Sequence, residues 1–250
     1  MTIFQSLILG IVQGVTEFLP VSSSGHLVLV QYLFGLQEVE LSFDILLHLA
    51  TLLAIIIFFW KQLWQLKFKD LFLIGLGTIP AVVVGLLFKD QIEGLFNAPK
   101  LVAVTLLVTG LINFGIDRLL DSKKATKPVD YRSALLAGFF QAIAITPGIS
   151  RSGSTVFGGM LGNLSREEAF RFSFFLAIPA ILGASVLQLT DLPTGGLNNL
   201  ISLPYLVGVL GAFVAGILSL SLFKFMIEKA KFEWFGYYCF IVGFGALILL

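Results

Sequence analysis

Lysine and arginine are missing from this chain until Lys61. A secretory leader needs a cationic start ahead of its apolar stretch, so none is expected here. Charge is scarce throughout. Charged residues make up 12% of the sequence, hydrophobic ones 57%, and the mean hydropathy is +0.97. A soluble domain carries about 25% charge, so the chain reads as an integral membrane protein. Its single cysteine, Cys239, excludes an internal disulfide and any multi-cysteine metal cluster. It reads as a small apolar residue in a transmembrane helix. A net charge of +1 leaves no basic surface for nucleic acid, and no such partner is expected. The 25 phenylalanines read as lipid-facing bulk. Trp60, Trp64 and Trp234 lie close to basic segments and read as interface anchors.

A bilayer core of roughly 30 Å takes about 20 apolar residues as helix. Six stretches qualify: 41–60, 71–88, 101–118, 168–190, 204–225 and 234–250. Two more, 3–36 and 133–162, are each broken in the middle by a polar segment. The pieces on either side are short for a span, which predicts two re-entrant helix pairs.

Basic residues set the orientation. Lys61, Lys67 and Lys69 share one loop; Arg118, Lys123, Lys124, Lys127 and Arg132 share a second; Lys224, Lys229 and Lys231 flank a third. The positive-inside rule makes these loops cytoplasmic, with Arg166 and Arg171. The loops at 89–100 and 191–203 are then external, with only Lys89 and Lys100. The cation-free N-terminus is placed outside as well. Each half then holds three full spans, so the second half is inverted relative to the first. The expected fold is an all-α integral membrane protein: six transmembrane helices plus two re-entrant pairs in an inverted-topology internal repeat. It forms one membrane domain over 1–250, with pseudo-repeat halves of about 1–120 and 130–250. The junction around Asp121–Pro128 reads as a solvated linker. Charge and length alone also admit eight or ten spans.

The repeat is visible residue by residue. Gly10, Gln13, Ser22, Ser24 and Gly25 recur as Gly138, Gln141, Ser150, Ser152 and Gly153, a constant shift of 128. The first polar segment carries Gln13, Thr16, Glu17, Ser22, Ser23, Ser24, Gly25 and His26. The second carries Pro147, Gly148, Ser150, Arg151, Ser152, Gly153, Ser154 and Thr155. One dips from each side of the membrane, so the two can meet near the midplane as one composite site.

Glu17, His26 and Arg151 are ionisable groups at membrane depth, where they are costly and functional by default. The bland alternatives are a snorkelling end-of-helix arginine and a satisfied core histidine. Gly148, Ser150, Ser152, Gly153 and Thr155 supply hydroxyls and close backbone approach, and Ser22 does so from the first segment. With a guanidinium and a helix N-terminus they suit a phosphate group. Glu17 can hold a divalent cation or act as an acid or base. His26 can be a nucleophile, a base, or the activator of a serine. Asp44 and His48, at i and i+4, are secondary candidates for a metal ligand or a supporting contact, and equally a polar packing pair. Thr16, Gln13 and Gln141 are most simply inter-helix hydrogen-bonders.

The first motif, Gln13 to His26, with the second, Pro147 to Thr155, resembles the undecaprenyl-diphosphate phosphatases of the bacitracin-resistance type. The stretch from Leu164 to Pro179 also resembles that family's segment after the second motif, and the likeness covers essentially the whole chain. The resemblance implies a hydrolase in the bacterial plasma membrane that removes the terminal phosphate of undecaprenyl diphosphate. Its site would open to the outer face. It would return the lipid carrier to peptidoglycan synthesis and confer bacitracin resistance. It implies a divalent cation, Mg2+ or Ca2+, with Glu17 and Gln13 as candidate ligands. Glu17 would be the key acid, Ser23 and His26 the candidate nucleophile and its partner, and Arg151 the diphosphate clamp. The family has Glu or Gln at position 13, and this chain has Gln. The family's amide side chain at position 48 is replaced here by His48. The expected partners are the polyprenyl diphosphate and membrane lipids, and a homodimer is compatible with both.

Two other readings stay open. A secondary transporter would share the inverted repeat and broken helices, and an anion carrier could use both polar segments. The same fold could also pass the lipid head group across the membrane. The attacking group is left open among Ser23, His26 and water.

Overall fold

Local sequence sets where each helix starts and stops. Thr2 and Gln5 form a capping box for α1 (Ile3–Phe18). The helix ends where Pro20 forces Leu19 into an extended conformation. Ser22 then caps α2 (Ser23–Leu33), accepting from Gly25 N at 3.3 Å. The second polar segment repeats the pattern. Asp130 caps α8 (Tyr131–Ile143), and Ser150 caps α9 (Arg151–Leu161), accepting from Gly153 N at 3.2 Å. Both broken stretches are thus pairs of short helices joined by a turn.

The computed structural model describes residues 1–36, 41–122, 128–190, 202–229 and 231–250. All regular structure among them is helical. The remaining helices are α3 (Leu41–Phe58), α4 (Trp60–Leu63), α5 (Phe68–Leu87), α6 (Lys89–Phe96), α7 (Pro99–Ser122), α10 (Arg166–Leu189), α11 (Leu203–Lys229) and α12 (Glu233–Leu249). By length and apolarity four can cross a membrane: Phe68–Leu87, Pro99–Leu119, Arg166–Leu189 and Leu203–Lys224. Ser42–Phe58 and Glu233–Leu249, where two further spans are expected, form shorter apolar helices. At 1.5 Å per residue they fall somewhat short of a full hydrocarbon core of roughly 30 Å. Most of the expected linker near 121–128 and nearly all of the expected external loop near 191–203 lie outside the described residues.

Packing crosses between the two halves of the chain. α1 lies chiefly against α11, and α8 lies chiefly against α5. Both crossings are built on a pair of glycines. A Cβ on Gly10 would collide with the Gly208 carbonyl, and a Cβ on Gly138 would collide with the Gly77 carbonyl. Close backbone approach through small residues is how helices associate where lipid removes the hydrophobic drive. α7 and α12 cross at Gly110 and Gly236, each within 3.1 Å of the other's carbonyl once a Cβ is added.

The phenylalanines correct one expectation. Several face outward, but Phe18, Phe59, Phe170, Phe174, Phe223 and Phe232 are buried and form an interior cluster of mostly edge-on and tilted rings. Ring centroids within it stand 4.6–6.3 Å apart. Aromatic edges and faces attract each other, so the rings fill the interior between helices as well as facing lipid. Trp60, Trp64 and Trp234 are exposed, as interface anchors must be.

Candidate functional site

The two turns that interrupt the broken stretches are held against each other by a row of side chains on α7. Thr105, Thr109 and Asn113 stand at i, i+4 and i+8, so they share one helix face. Thr105 Oγ1 donates to the Pro147 carbonyl at 2.6 Å, and Thr109 Oγ1 to the Gly148 carbonyl at 2.7 Å. Ser150 N donates to Thr109 Oγ1 at 2.9 Å. Asn113 Nδ2 crosses to the first turn and donates to the Pro20 carbonyl at 2.7 Å. Ser152 Oγ donates to the Leu19 carbonyl at 3.0 Å. These three α7 residues escaped sequence reading. A hydroxyl, hydroxyl, amide row at helical spacing was the available signal, masked by the apolar residues between.

Both turns contain left-handed backbone. Gly148 has φ 88°, and a Cβ there would also meet Thr105 and the Val102 carbonyl. Only glycine satisfies both constraints. Ser22 has φ 72°, which is strained for a residue with a side chain. Its carbonyl accepts from His26 Nδ1 at 2.7 Å and its hydroxyl caps α2, so the turn is held from both ends.

Glu17, at the end of α1, sits at the centre. It is buried, with 7% of its surface exposed. Arg151 Nη2 forms an ion pair with Oε1. Ser23 Oγ donates to Oε2 at 2.6 Å, and Gln13 Nε2 donates to Oε2 at 3.0 Å. Ser23 and Arg151 occupy the same position, the first residue of a half-helix, in the two copies of the repeat. The structure thus brings Gln13, Glu17, Ser23 and Arg151 into one cluster. Two buried atoms of this cluster have no partner among the described residues: Arg151 Nη1 and Gln13 Oε1. A buried unpaired donor on a guanidinium is a place for an anion; a buried unpaired amide oxygen is a place for a cation or a water.

His26 lies at the edge of this cluster, engaged elsewhere. A carbonyl can only accept, so Nδ1 carries the proton that binds the Ser22 carbonyl. Nε2 stands 2.8 Å from Tyr238 Oη, and the two rings are parallel within 4°. Ser23 is therefore paired with Glu17, where sequence reading paired it with His26. Tyr238, on α12, was not anticipated; an exposed tyrosine on an apolar helix gives no sequence signal of a partner 212 residues away.

The other anticipated groups hold the turns. Ser22 and Ser150 are caps. Gly153 passes close to Pro20, and Gly25 passes close to Gly148. Thr155 Oγ1 faces the Arg151 carbonyl at 2.8 Å and Ser173 on α10. Thr16 and Gln13 bond within their own helix, to the Val12 carbonyl and to Glu17, where inter-helix bonds were expected. Gln141 departs from expectation too: neither of its buried amide atoms has a partner among the described residues. The residue four positions on, matching Glu17, is Ile145, so its carboxylate partner is missing. His48 Nδ1 binds the Asp44 carbonyl at 2.8 Å, and Gln31 Nε2 donates to Asp44 at 3.3 Å. His48 is also within electrostatic reach of Glu17.

A cation could find Glu17 and the Gln13 oxygen here. No group of three or more His, Cys, Asp or Glu able to hold a metal exists among the described residues. A carboxylate and an amide oxygen are compatible with a divalent cation that completes its shell with waters and a substrate's phosphates.

Residues 6–245 match the family described as "Bacitracin resistance protein BacA". Among similar proteins, the "Undecaprenyl-diphosphatase" of Halothermothrix orenii is 40% identical, covering 100% of this chain and 98% of the relative. That of Carboxydothermus hydrogenoformans is 42% identical, again over 100% and 98%. That of Rhodopirellula baltica is 42% identical over 97% and 96%.

Proposed function

Because the chain belongs to the bacitracin resistance protein BacA family, we propose that it is the membrane phosphatase the relatives' name describes. It hydrolyses undecaprenyl diphosphate to the monophosphate and inorganic phosphate. That returns the lipid carrier to peptidoglycan synthesis and gives resistance to bacitracin. The observation that carries the mechanism is the single carboxylate of Glu17, held between the Ser23 hydroxyl and the Arg151 guanidinium.

The chemistry follows from that arrangement. Diphosphate hydrolysis depends on placing a nucleophile in line and neutralising phosphate oxygens. Arg151 meets the diphosphate with Nη1, and its planar fork spans two oxygens once the substrate competes with Glu17. The open amides at the starts of α2 and α9 add donors. Ser23 Oγ attacks the terminal phosphorus while Glu17 Oε2 takes its proton, at a distance suited to general-base catalysis. The polyprenyl monophosphate leaves. Glu17 gives the proton it took to the departing monophosphate and is then free to act as base for the water that releases phosphate from Ser23. His26 fixes the strained Ser22 turn that presents Ser23. Glu17 and Gln13 are the residues that would hold a divalent cation such as Mg2+, which would supply further charge neutralisation.

The architecture behind this site is six transmembrane helices and two re-entrant pairs, α1–α2 and α8–α9, in one membrane domain. Its halves, about 1–120 and 130–250, are related as an inverted repeat. The exchanged α1–α11 and α8–α5 packing and the matching serine caps support this reading. The charge distribution supports an orientation with the Glu17 segment toward the outer face of a bacterial plasma membrane. There the polyprenyl tail can stay in lipid.

The test is phosphate release from undecaprenyl diphosphate by purified protein, with and without EDTA. Release that stops on chelation and returns with Mg2+ is expected. An absence of release under every metal would leave the transporter reading, to be followed by anion uptake into vesicles.

A further inference from the structure

A site inside the bilayer poses a problem of access: the head group must reach Glu17 while a long tail remains in lipid. The helix seams around the site differ in how they are closed. α1 is sealed to α11 by backbone contact at Gly10 and Gly208. α7 is sealed to α12 at Gly110 and Gly236, to the turn before α9 through Thr105 and Thr109, and to α9 by the Phe157 ring against Gly115. α2 packs on α1 and α3 through Leu27, and toward α7 through Leu29 and Gly25. α2 and α12, by contrast, meet sparsely: Leu29 joins Val242 and Ala246 of α12 in one small apolar cluster shared with α7, and no extended packing runs between the two helices. What joins them beside the site is the His26–Tyr238 hydrogen bond and ring stack. The pair also spans the wall: His26 is 7% exposed, whereas Tyr238 is 42% exposed. One ring touches the turn that carries Ser23, and the other faces outward.

We infer that the seam between α2 and α12 is the portal through which the polyprenyl chain passes, and that Tyr238 latches it by hydrogen bonding to His26. This rests on the phosphatase reading for the head-group chemistry, but the seam itself is read from packing alone. A single hydrogen bond and a stacked ring pair are a closure that breaks and re-forms. Glycine-to-glycine backbone contact is not. The outward continuation of the seam is apolar and exposed on both sides, at Leu33 on α2 and Ile241 on α12. These residues stand seven and three positions on from His26 and Tyr238, on the same helix faces. An isoprenyl chain leaving the site finds an apolar track there.

Two measurements test this. A polyprenyl diphosphate carrying a diazirine on its tail is photolysed with the full-length protein in vesicles, and adducts are located by mass spectrometry. Adducts at Leu33, Tyr238 and Ile241 are expected; adducts confined to other helix faces overturn the portal. This readout needs no turnover, so a protein that labels at the seam yet releases no phosphate would refute the phosphatase reading and leave the portal standing. The second measurement compares Tyr238→Phe with the native chain on a long-chain substrate in vesicles and a short soluble isoprenyl diphosphate. Loss of the latch should raise kcat/KM severalfold for the long chain and leave the short one unchanged. An equal fall for both substrates would mean that Tyr238 only positions His26, and the latch would be wrong.

Discussion

Arg151→Lys separates the charge of this residue from its shape. The native guanidinium uses Nη2 on Glu17 and holds Nη1 buried and unpaired. A lysine ammonium can keep the ion pair with Glu17 but cannot also place a second, fixed donor on the substrate. The lost interaction is a hydrogen bond to a charged oxygen, about 1.5–3 kcal/mol. If it is made only in the transition state, kcat/KM falls roughly ten- to a hundredfold. Stability should change little, because the buried carboxylate stays neutralised. Arg151→Ala behaves differently. It leaves Glu17 as an uncompensated charge with 5% of its side chain exposed, and breaking a buried pair costs about 3–5 kcal/mol. Thermal unfolding in detergent and phosphate release should therefore part company. The lysine variant is folded and slow; the alanine variant is slow and destabilised. A lysine variant within twofold of native kcat/KM would refute the argument, since the unpaired Nη1 would then have no role in turnover.

Two further substitutions probe the turns. Ser23→Ala removes the hydroxyl proposed to attack while leaving the Glu17–Arg151 pair in place. Turnover should fall by a factor of about 10² or more, as expected when a positioned proton donor and nucleophile is lost. Retention of a tenth or more of native turnover would instead point to direct attack by water. Gly148→Ala places a side chain at φ 88° and against Thr105. The backbone strain alone is about 1–3 kcal/mol. The variant should unfold earlier than the native chain and lose activity, because the turn also positions Arg151. An unchanged unfolding temperature would show that α7 does not hold that turn rigidly.

Much of this site was legible in the chain because membrane burial makes polar residues conspicuous. Glu17, Arg151, Ser23 and His26 stood out as ionisable or hydroxyl groups in apolar surroundings, and three of the four converge on one cluster with Gln13. The short pieces flanking each turn followed from length alone, while the caps at Ser22 and Ser150 emerged only with the fold. The partnerships did not follow. Whether Ser23 faces His26 or Glu17 depends on the left-handed backbone of Ser22, which no composition reveals. Thr105, Thr109 and Asn113 are ordinary in an apolar helix until a turn is found against them. Phe18 and Phe174 look like lipid-facing bulk because one-dimensional hydropathy cannot tell an interior ring from an exterior one.

The deepest constraint is the asymmetry between two nearly equal copies. A shift of 128 carries Ser22 to Ser150 and Gly25 to Gly153, and both pairs make the same cap. The same shift carries Ser23 to Arg151, Glu17 to Ile145 and His26 to Ser154. What the copies share builds the turns, and what they do not share forms the Glu17–Ser23–Arg151 cluster to which the chemistry is assigned. A strict duplicate would set two carboxylates or two guanidinia face to face in low dielectric, where like charges repel strongly. Division of labour avoids this. One copy supplies the acid and the hydroxyl, and the other supplies the cation from the equivalent helix-start position. The remnants of the lost symmetry lie in the second copy. Gln141 keeps the amide that Gln13 uses but has Ile145 at the position matching Glu17, and the Ser154 hydroxyl, in the place of His26, is buried without a partner among the described residues. Restoring an acid there by Ile145→Glu should give Gln141 an acceptor and Arg151 a rival for Glu17. Phosphate release would fall as the guanidinium is drawn away from the first copy. If instead turnover were unaffected, the two turns would be less closely coupled than the shared hydrogen bonds of α7 imply.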